Sequence, residues 1–161
     1  MALVSEVSGN VLIRAAGIDD LASMFHLGEK VFTSQEVSNL YRTWDEYEVV
    51  GLFNSEPEHM LVAEIDGRMA GFAMGTTINK ARTAWRYGHL VWLAVEPEFS
   101  RQGIGDLLFE EFREIMQRQG VRLLMVDTQA DNVAAIEFFQ KKGFENPTDH
   151  LYMTLYLQKE D

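Results

Sequence analysis

Cysteine is absent from the 161 residues. That excludes disulfide bonds, thiolate metal sites and a cysteine nucleophile at once, and it is compatible with the cytoplasm, the location expected here. Nothing in the sequence calls for a metal. Basic residues are scarce, with 14 Lys and Arg against 25 Asp and Glu and a formal net charge of −11. Such a chain is a poor partner for nucleic acid or an anionic membrane. It suits a cationic partner, or simply a soluble acidic surface. No apolar run is long enough to span a bilayer, and the opening Met-Ala-Leu-Val-Ser-Glu lacks the basic and apolar regions of a signal peptide. Two familiar phosphate signatures are also missing. No Gly-x-x-x-x-Gly-Lys-Ser/Thr occurs, and Leu108 stands where Gly-x-Gly-x-x-Gly needs its third glycine. There is no linker, repeat or low-complexity stretch, so residues 1–161 read as one domain, and 47% hydrophobic residues suffice for its core.

What is present alternates between two periods. Val11 to Arg14 reads as a short strand, and Asp19 or Asp20 starts a helix carrying Leu21, Met24, Phe25, Leu27 and Val31. Ser34 to Phe53 reads as a second helix or helix pair, with Leu40, Tyr41, Trp44, Tyr47 and Val50 among its apolar positions. His59 to Ile65 and Met69 to Ile78 form two strands about an Asp66-Gly67 hairpin turn. Arg86 to Val95 is another strand. Gly103 to Gln119 is an amphipathic helix with Ile104, Leu107, Leu108, Phe112, Ile115 and Met116 inward, ended by Gly120. Val121 to Thr128, a helix after Asn132 and a strand from Leu151 to Leu157 complete the set, a mixed α/β sheet.

The stretch Leu90 to Phe109 carries the first functional signal. Its apolar strand stops at Glu96-Pro97, because proline cannot donate to a ladder. Gly103 and Gly105 then permit a tight turn into a helix whose first amides and positive dipole end bind phosphate oxygens. A phosphorylated cofactor is the expectation. A strand-to-helix turn that happens to use glycine is the plain alternative.

The second signal follows Val121 to Thr128. In Gln129-Ala-Asp-Asn-Val-Ala-Ala-Ile-Glu-Phe-Phe-Gln-Lys-Lys-Gly-Phe144, Asp131 or Asn132 caps a short helix, Ala135, Phe138 and Phe139 share a stripe, and Gly143 ends it. Together the two segments resemble the GNAT superfamily of N-acetyltransferases, including its ribosomal-protein and N-terminal acetyltransferase types. The resemblance is specific from Leu90 to Phe144 and coarser over nearly all the chain. It implies a mostly antiparallel central sheet, flanked by helices, whose central strands splay to admit acetyl-CoA. It implies that Leu93, Ala94 and Val95 pair with the pantetheine arm, and that Arg101, Gln102, Gly103, Ile104, Gly105 and Asp106 cradle the diphosphate. Asn132, Ala135, Phe138 and Phe139 are the remaining expected cofactor contacts. Ser100 and Asp106 depart from the usual loop.

Acetyl transfer to an amine needs a base, an oxyanion donor and an exit for the thiolate. With no cysteine present, direct attack within a ternary complex is the simpler scheme. By the resemblance, His89 occupies a strand position where some members carry a glutamate base, and Asp127 aligns with the glutamate used by protein-acetylating members. Either also reads as structural, His89 as a hydrogen-bonded core histidine and Asp127 as a loop-ordering carboxylate. Phe139 stands where the family commonly has a tyrosine that protonates the leaving thiolate. Tyr152, Tyr87 or solvent must then take that role, or the chain is a catalytically silent acyl-CoA sensor or interaction module. Glu29, Glu36, Asp45, Glu46 and Glu48 lie in the half that forms the acceptor wall in the resemblance, which fits a cationic amine as well as a merely solvated face. Monomer and homodimer both remain open.

Overall fold

Apolar alternation in the sequence becomes one six-stranded sheet in the computed structural model, which describes residues 5–7, 10–32, 44–82 and 84–158. The strands are β1 (Ser5–Val7), β2 (Val11–Ala15), β3 (Met60–Ile65), β4 (Arg68–Asn79), β5 (Arg86–Val95) and β6 (Val121–Met125), and they lie side by side in sequence order. All neighbours are antiparallel except β5 and β6. This is the mixed, mostly antiparallel sheet that the sequence implies, with β1 as an added edge. The Asp66-Gly67 turn forms as expected, both residues taking positive φ of 49° and 76°.

Helices cover both faces. Helix α1 (Leu21–Phe32) follows a single helical turn at Ile18–Asp20, and α2 (Glu46–Ser55) is capped by the Asp45 carboxylate, which accepts from the Glu48 amide. The amino-terminal part of the expected Ser34 to Phe53 helix, with Glu36, Leu40 and Tyr41, lies outside the described residues. Met24, Leu27, Trp44 and Val49 pack with Met60, Val62, Phe72, Met74, Trp92 and Ala94 in one core layer. Helix α3 (Ile104–Arg118) covers the opposite face with Ile104, Leu108, Phe109, Phe112, Ile115 and Met116. Phe109 takes the buried place expected of Leu107, which is half-buried. Phe112 packs so closely over the sheet that a Cβ on Gly75 would lie 2.3 Å from its ring. Among the described residues no helix is long and apolar enough to cross a membrane.

Residues up to Val126 form one compact unit, and a second begins at Asp127. In the second, Asn132 Oδ1 caps α4 (Val133–Lys141) by accepting from the Ala135 amide at 3.2 Å. Gly143, at φ 99°, ends it. Two expectations are corrected here. Strand β6 ends at Met125 rather than Thr128, and Leu151 to Leu157 forms no strand. An alternating pattern becomes a strand only beside a partner ladder, and among the described residues from 127 onward there is none. Leu151, Met153, Leu155 and Leu157 are accordingly exposed.

Beneath the α1 start, Arg14 joins Asp20 through two hydrogen bonds of 2.7 and 2.8 Å and reaches Glu64 at 3.0 Å. The bonds from Arg14 hold the Asp20 carboxyl below the usual carboxylate range; burial opposes this, and the Gly17 amide assists it. A depressed carboxyl stabilises the fold above its unfolded pKa of about 3.9, and that contribution disappears as pH falls through the lower folded value. Asp20→Asn should therefore lower the melting temperature at pH 7 by roughly 2–8 °C, taking about 1–2 kcal/mol for the charge-assisted bonds. The gap should close in strong acid. A gap that persists at pH 2 would assign the effect to packing.

Candidate active site

Strand β5 pairs with β4 along its whole length, from Asn79↔Arg86 to Gly71↔Val95. With β6 it pairs only from Arg86↔Val121 to His89↔Met125. Opposite β4 the register shifts: Trp92 pairs with Met74 and Leu90 with Gly75, leaving Val91 as a bulge. A bulge bends its strand and increases local twist. This one falls just past the last β6 rung, where the ladder between β5 and β6 stops. On that side no strand pairs with the backbone of Leu90 to Val95 among the described residues. The end of a ladder is where an extended, amide-bearing chain can continue strand-like pairing.

The end of β5 leads directly to the phosphate-binding geometry. The Glu96 amide donates to Ala70 O at 2.8 Å, and Glu98 takes two bonds from Arg68, at 3.2 and 2.7 Å. The Arg68 guanidinium holds the Glu98 carboxyl below its ordinary range. Arg101 and Gly103 both have positive φ, 65° and 76°, so the turn alternates in hand before α3. Successive amides in such a turn converge on a concavity that suits an anion. Gly103 is the N-cap and has no side chain to satisfy the first amides of α3. A Cβ on Gly71, the partner of Val95, would lie 3.1 Å from Leu108 and 3.3 Å from Ile104, which places the first turn of α3 against the end of β5. Leu93, Ala94 and Val95 are thus brought to the same end of the sheet as Arg101, Gln102, Gly103, Ile104, Gly105 and Asp106. Asp106 lies in the first turn, where the helix dipole favours a negative charge.

Polar groups gather around the rung where His89 pairs with Thr76. His89 lies on the last rung shared with β6 and directly opposite Thr76 of β4. The Thr76 hydroxyl donates to Glu56, as does the Thr77 hydroxyl at 2.7 Å, and the Thr77 amide donates at 3.2 Å. Burial pushes the Glu56 carboxyl upward, but these three donors and nearby His59 outweigh it and bring the carboxyl below its ordinary range. His59 is fully buried, with Nε2 2.6 Å from Gln119 Oε1 and Nδ1 3.8 Å from Glu56 Oε1. The Trp92 indole, on the part of β5 beyond the β6 ladder, donates to Glu48 Oε2 at 3.0 Å.

The other expected site residues belong to the second unit. Asp127 lies two residues past the end of β6 rather than on a strand, because the ladder with β5 stops at Met125. The Asn132 side chain is engaged in capping, and the Ala135 amide is its donor. Phe138 and Phe139 meet edge to face at 5.3 Å, and Phe139 meets Phe144 at 5.4 Å. Tyr152 is about half exposed, on a segment without regular structure. The sequence reading missed Glu56 and His59 and counted Glu48 only as one acid among several. Asp45-x-x-Glu48 is a capping-box spacing, which points the Glu48 carboxylate at its own helix and conceals its contact with the sheet.

Comparison with known proteins agrees with this geometry. The [Ribosomal protein bS18]-alanine N-acetyltransferase of Escherichia coli strain K12 is 31% identical over 83 residues, 52% of each chain, so the match spans about half the length of that relative. In structure, Ard1 from Thermoplasma volcanium superposes with a TM-score of 0.74 at 23% identity, covering 87% of this chain and 86% of that one. A chain of the NatC complex bound to Gag peptide and CoA gives 0.76 at 20% identity, covering 87% of each. These two likenesses concern the fold. Residues 21–144, which include β5, the glycine turn and α4, match the family described as Acetyltransferase (GNAT). The chain belongs to that family.

Proposed function

We propose that the protein transfers an acetyl group from acetyl-CoA to a primary amine by direct attack in a ternary complex. The observation that carries this reading is that the β5–β6 ladder stops at His89 and Met125 while β5 runs on to Val95, beside the amides at the start of α3. That stretch of β5 fits a pantetheine arm, and the Gly103 turn fits a diphosphate. Leu93 to Val95 supply backbone N–H groups suited to an oxyanion. His89 receives the amine proton, directly or through water, with Asp127 as the other candidate. With Phe139 in the usual tyrosine position, the departing thiolate takes its proton from Tyr152, Tyr87 or solvent. A thiol of pKa about 8.5 leaves readily enough for solvent to serve.

Phe139 also favours a second reading, in which the chain binds an acyl-CoA without turnover. One experiment separates the two: incubate the protein with acetyl-CoA and pooled amines, then assay free thiol. Amine-dependent thiol release supports the enzyme. Binding without release supports the sensor. The acceptor classes in view are a protein amino terminus, a lysine, a polyamine or another small amine.

Charge supports a cationic acceptor. Asp45, Glu46 and Glu48 crowd the start of α2, within a chain of net charge −11. If they steer the acceptor, kcat/KM for a cationic amine should fall steeply with salt, since exposed charges are screened beyond about 10 Å at 0.1 M. An uncharged amine of similar size should change less. Equal, flat profiles would leave acceptor choice to pocket shape.

A further inference from the structure

We infer that the turn between β4 and β5, together with the start of β6, is a docking surface for an acidic segment of a partner protein, an inference that does not depend on the acetyl-transfer reading. Between Asp66 and Glu96 the sequence holds no acid, yet it holds Arg68, Lys80, Arg82 and Arg86, in a chain of net charge −11. The described arginines divide by partner. Arg14 pairs with Asp20 and Glu64, Arg68 with Glu98, Arg113 with Glu110, and Arg118 with Glu111 and Glu114. Among the described residues, Arg101 at the diphosphate turn pairs with no carboxylate, and neither do Arg82, Arg86 and Arg122.

Register brings the last three together. Arg86 faces Asn79 on the outermost rung of the β4–β5 ladder, so Arg82 lies in the turn that this rung closes. On its other side Arg86 pairs with Val121, and Tyr87 pairs with Leu123, which leaves Arg122 as the extra residue of a bulge. A bulge re-aims its side chain. Here the Arg122 guanidinium stands 5.7 Å from the centre of the Trp85 ring. Arg86 is held by two bonds, from Nε to Asn79 Oδ1 at 3.3 Å and from Nη1 to Gln119 O at 3.0 Å. Trp85 is 49% exposed, and Arg82 and Arg122 are exposed beside it in the fold.

Acids outnumber Lys and Arg by 25 to 14. An arginine that no carboxylate of its own chain engages keeps its planar fork for an outside anion, and carboxylate and phosphate both fit that fork. Extent decides between them. A nucleic acid needs cations along many phosphates, and the acidic remainder of this chain repels one. The patch is instead short and centred on an exposed indole. Tryptophan and arginine are enriched among the residues that dominate protein interfaces. The fitting occupant is therefore a peptide segment with several carboxylates and an apolar side chain to cover Trp85. The co-substrate lies elsewhere. Strand β5 runs ten residues from Arg86 to Val95, so ~30 Å of strand, at about 3.3 Å per residue, separates the patch from the diphosphate end.

The test is fluorescence anisotropy of a labelled peptide of six glutamates around one phenylalanine, titrated with the full-length protein at about 0.1 M salt. The comparison ligands are the same peptide with glutamine for glutamate and an eight-nucleotide oligouridylate. The acidic peptide should bind, and the glutamine peptide should bind at least ~10-fold more weakly. Trp85→Ala should weaken the acidic peptide ~30-fold, the scale of one lost interface anchor, and Arg82→Gln combined with Arg122→Gln ~10-fold. These side chains are exposed, so the variants should melt close to wild type. Arg113→Gln, whose arginine already pairs with Glu110, should change binding less than about twofold, and so should saturating acetyl-CoA. Absent binding of the acidic peptide, equal binding by wild type and the patch variants, tighter binding of the oligouridylate, or competition by acetyl-CoA would each overturn the assignment.

Discussion

Acetyl-CoA at a hundred times its dissociation constant should raise the melting temperature of the wild-type protein by roughly 5–11 °C. A ligand that binds only the native state contributes about 2.7 kcal/mol at that excess, and each kcal/mol is worth about 2–4 °C in a domain of this length. Gly103→Val and Gly105→Val should each remove most of the shift. A side chain at either position intrudes where backbone amides must approach the diphosphate. Valine at Gly103 also strains the backbone, because φ there is 76°. Gly67 provides the matched control. It has the same φ of 76°, and at both glycines a Cβ would meet no other atom within 4 Å. Gly67→Val should lower the starting melting temperature by a similar amount and leave the acetyl-CoA shift intact. Unchanged shifts in both loop variants would place the co-substrate elsewhere.

The largest kinetic effect is expected at the base. If His89 accepts the amine proton, His89→Ala should lower turnover by ~10²-fold or more, while the acetyl-CoA-dependent melting shift stays close to wild type. Asp127→Asn should do the same if that carboxylate is the base instead. The register favours His89, which lies where β5 leaves β6. Asp127 lies two residues past the end of β6. Full activity of the double variant across the pH range would remove both from the mechanism and turn attention to Glu56, bonded to Thr77 and to Thr76, the strand partner of His89.

Local patterns were legible in the sequence where one segment determines its own structure. The strand from Arg86 to Val95, the Gly103 turn and the Asn132 cap depend on neighbours in the chain and stand as expected, as does the α3 stripe apart from Phe109 in place of Leu107. The failures needed information from outside the segment. Leu151 to Leu157 alternates as a strand should, yet among the described residues of its own unit no strand is present. The end of β6 is set by its ladder with β5, which stops at Met125, and no residue type announces that stop. Glu56 and His59 are brought to Thr76, Thr77 and Gln119 by the fold, from positions 20 or more residues away. Glu48 carries a local signal that points the wrong way, since its spacing suits helix capping while its carboxylate serves the sheet.

The arrangement around Trp92 gives the protein an optical reporter of its own. Trp44 and Trp92 are both buried, with ring centroids 5.0 Å apart, so their excited states are coupled. Trp85, 49% exposed, emits from a wetter environment and at longer wavelength. The Trp92 N–H ends on a carboxylate, a neighbour whose charge shifts indole emission. A ligand that alters the surroundings of Trp92 would shift the blue edge of the fluorescence spectrum, a signal read without label, coupling enzyme or turnover.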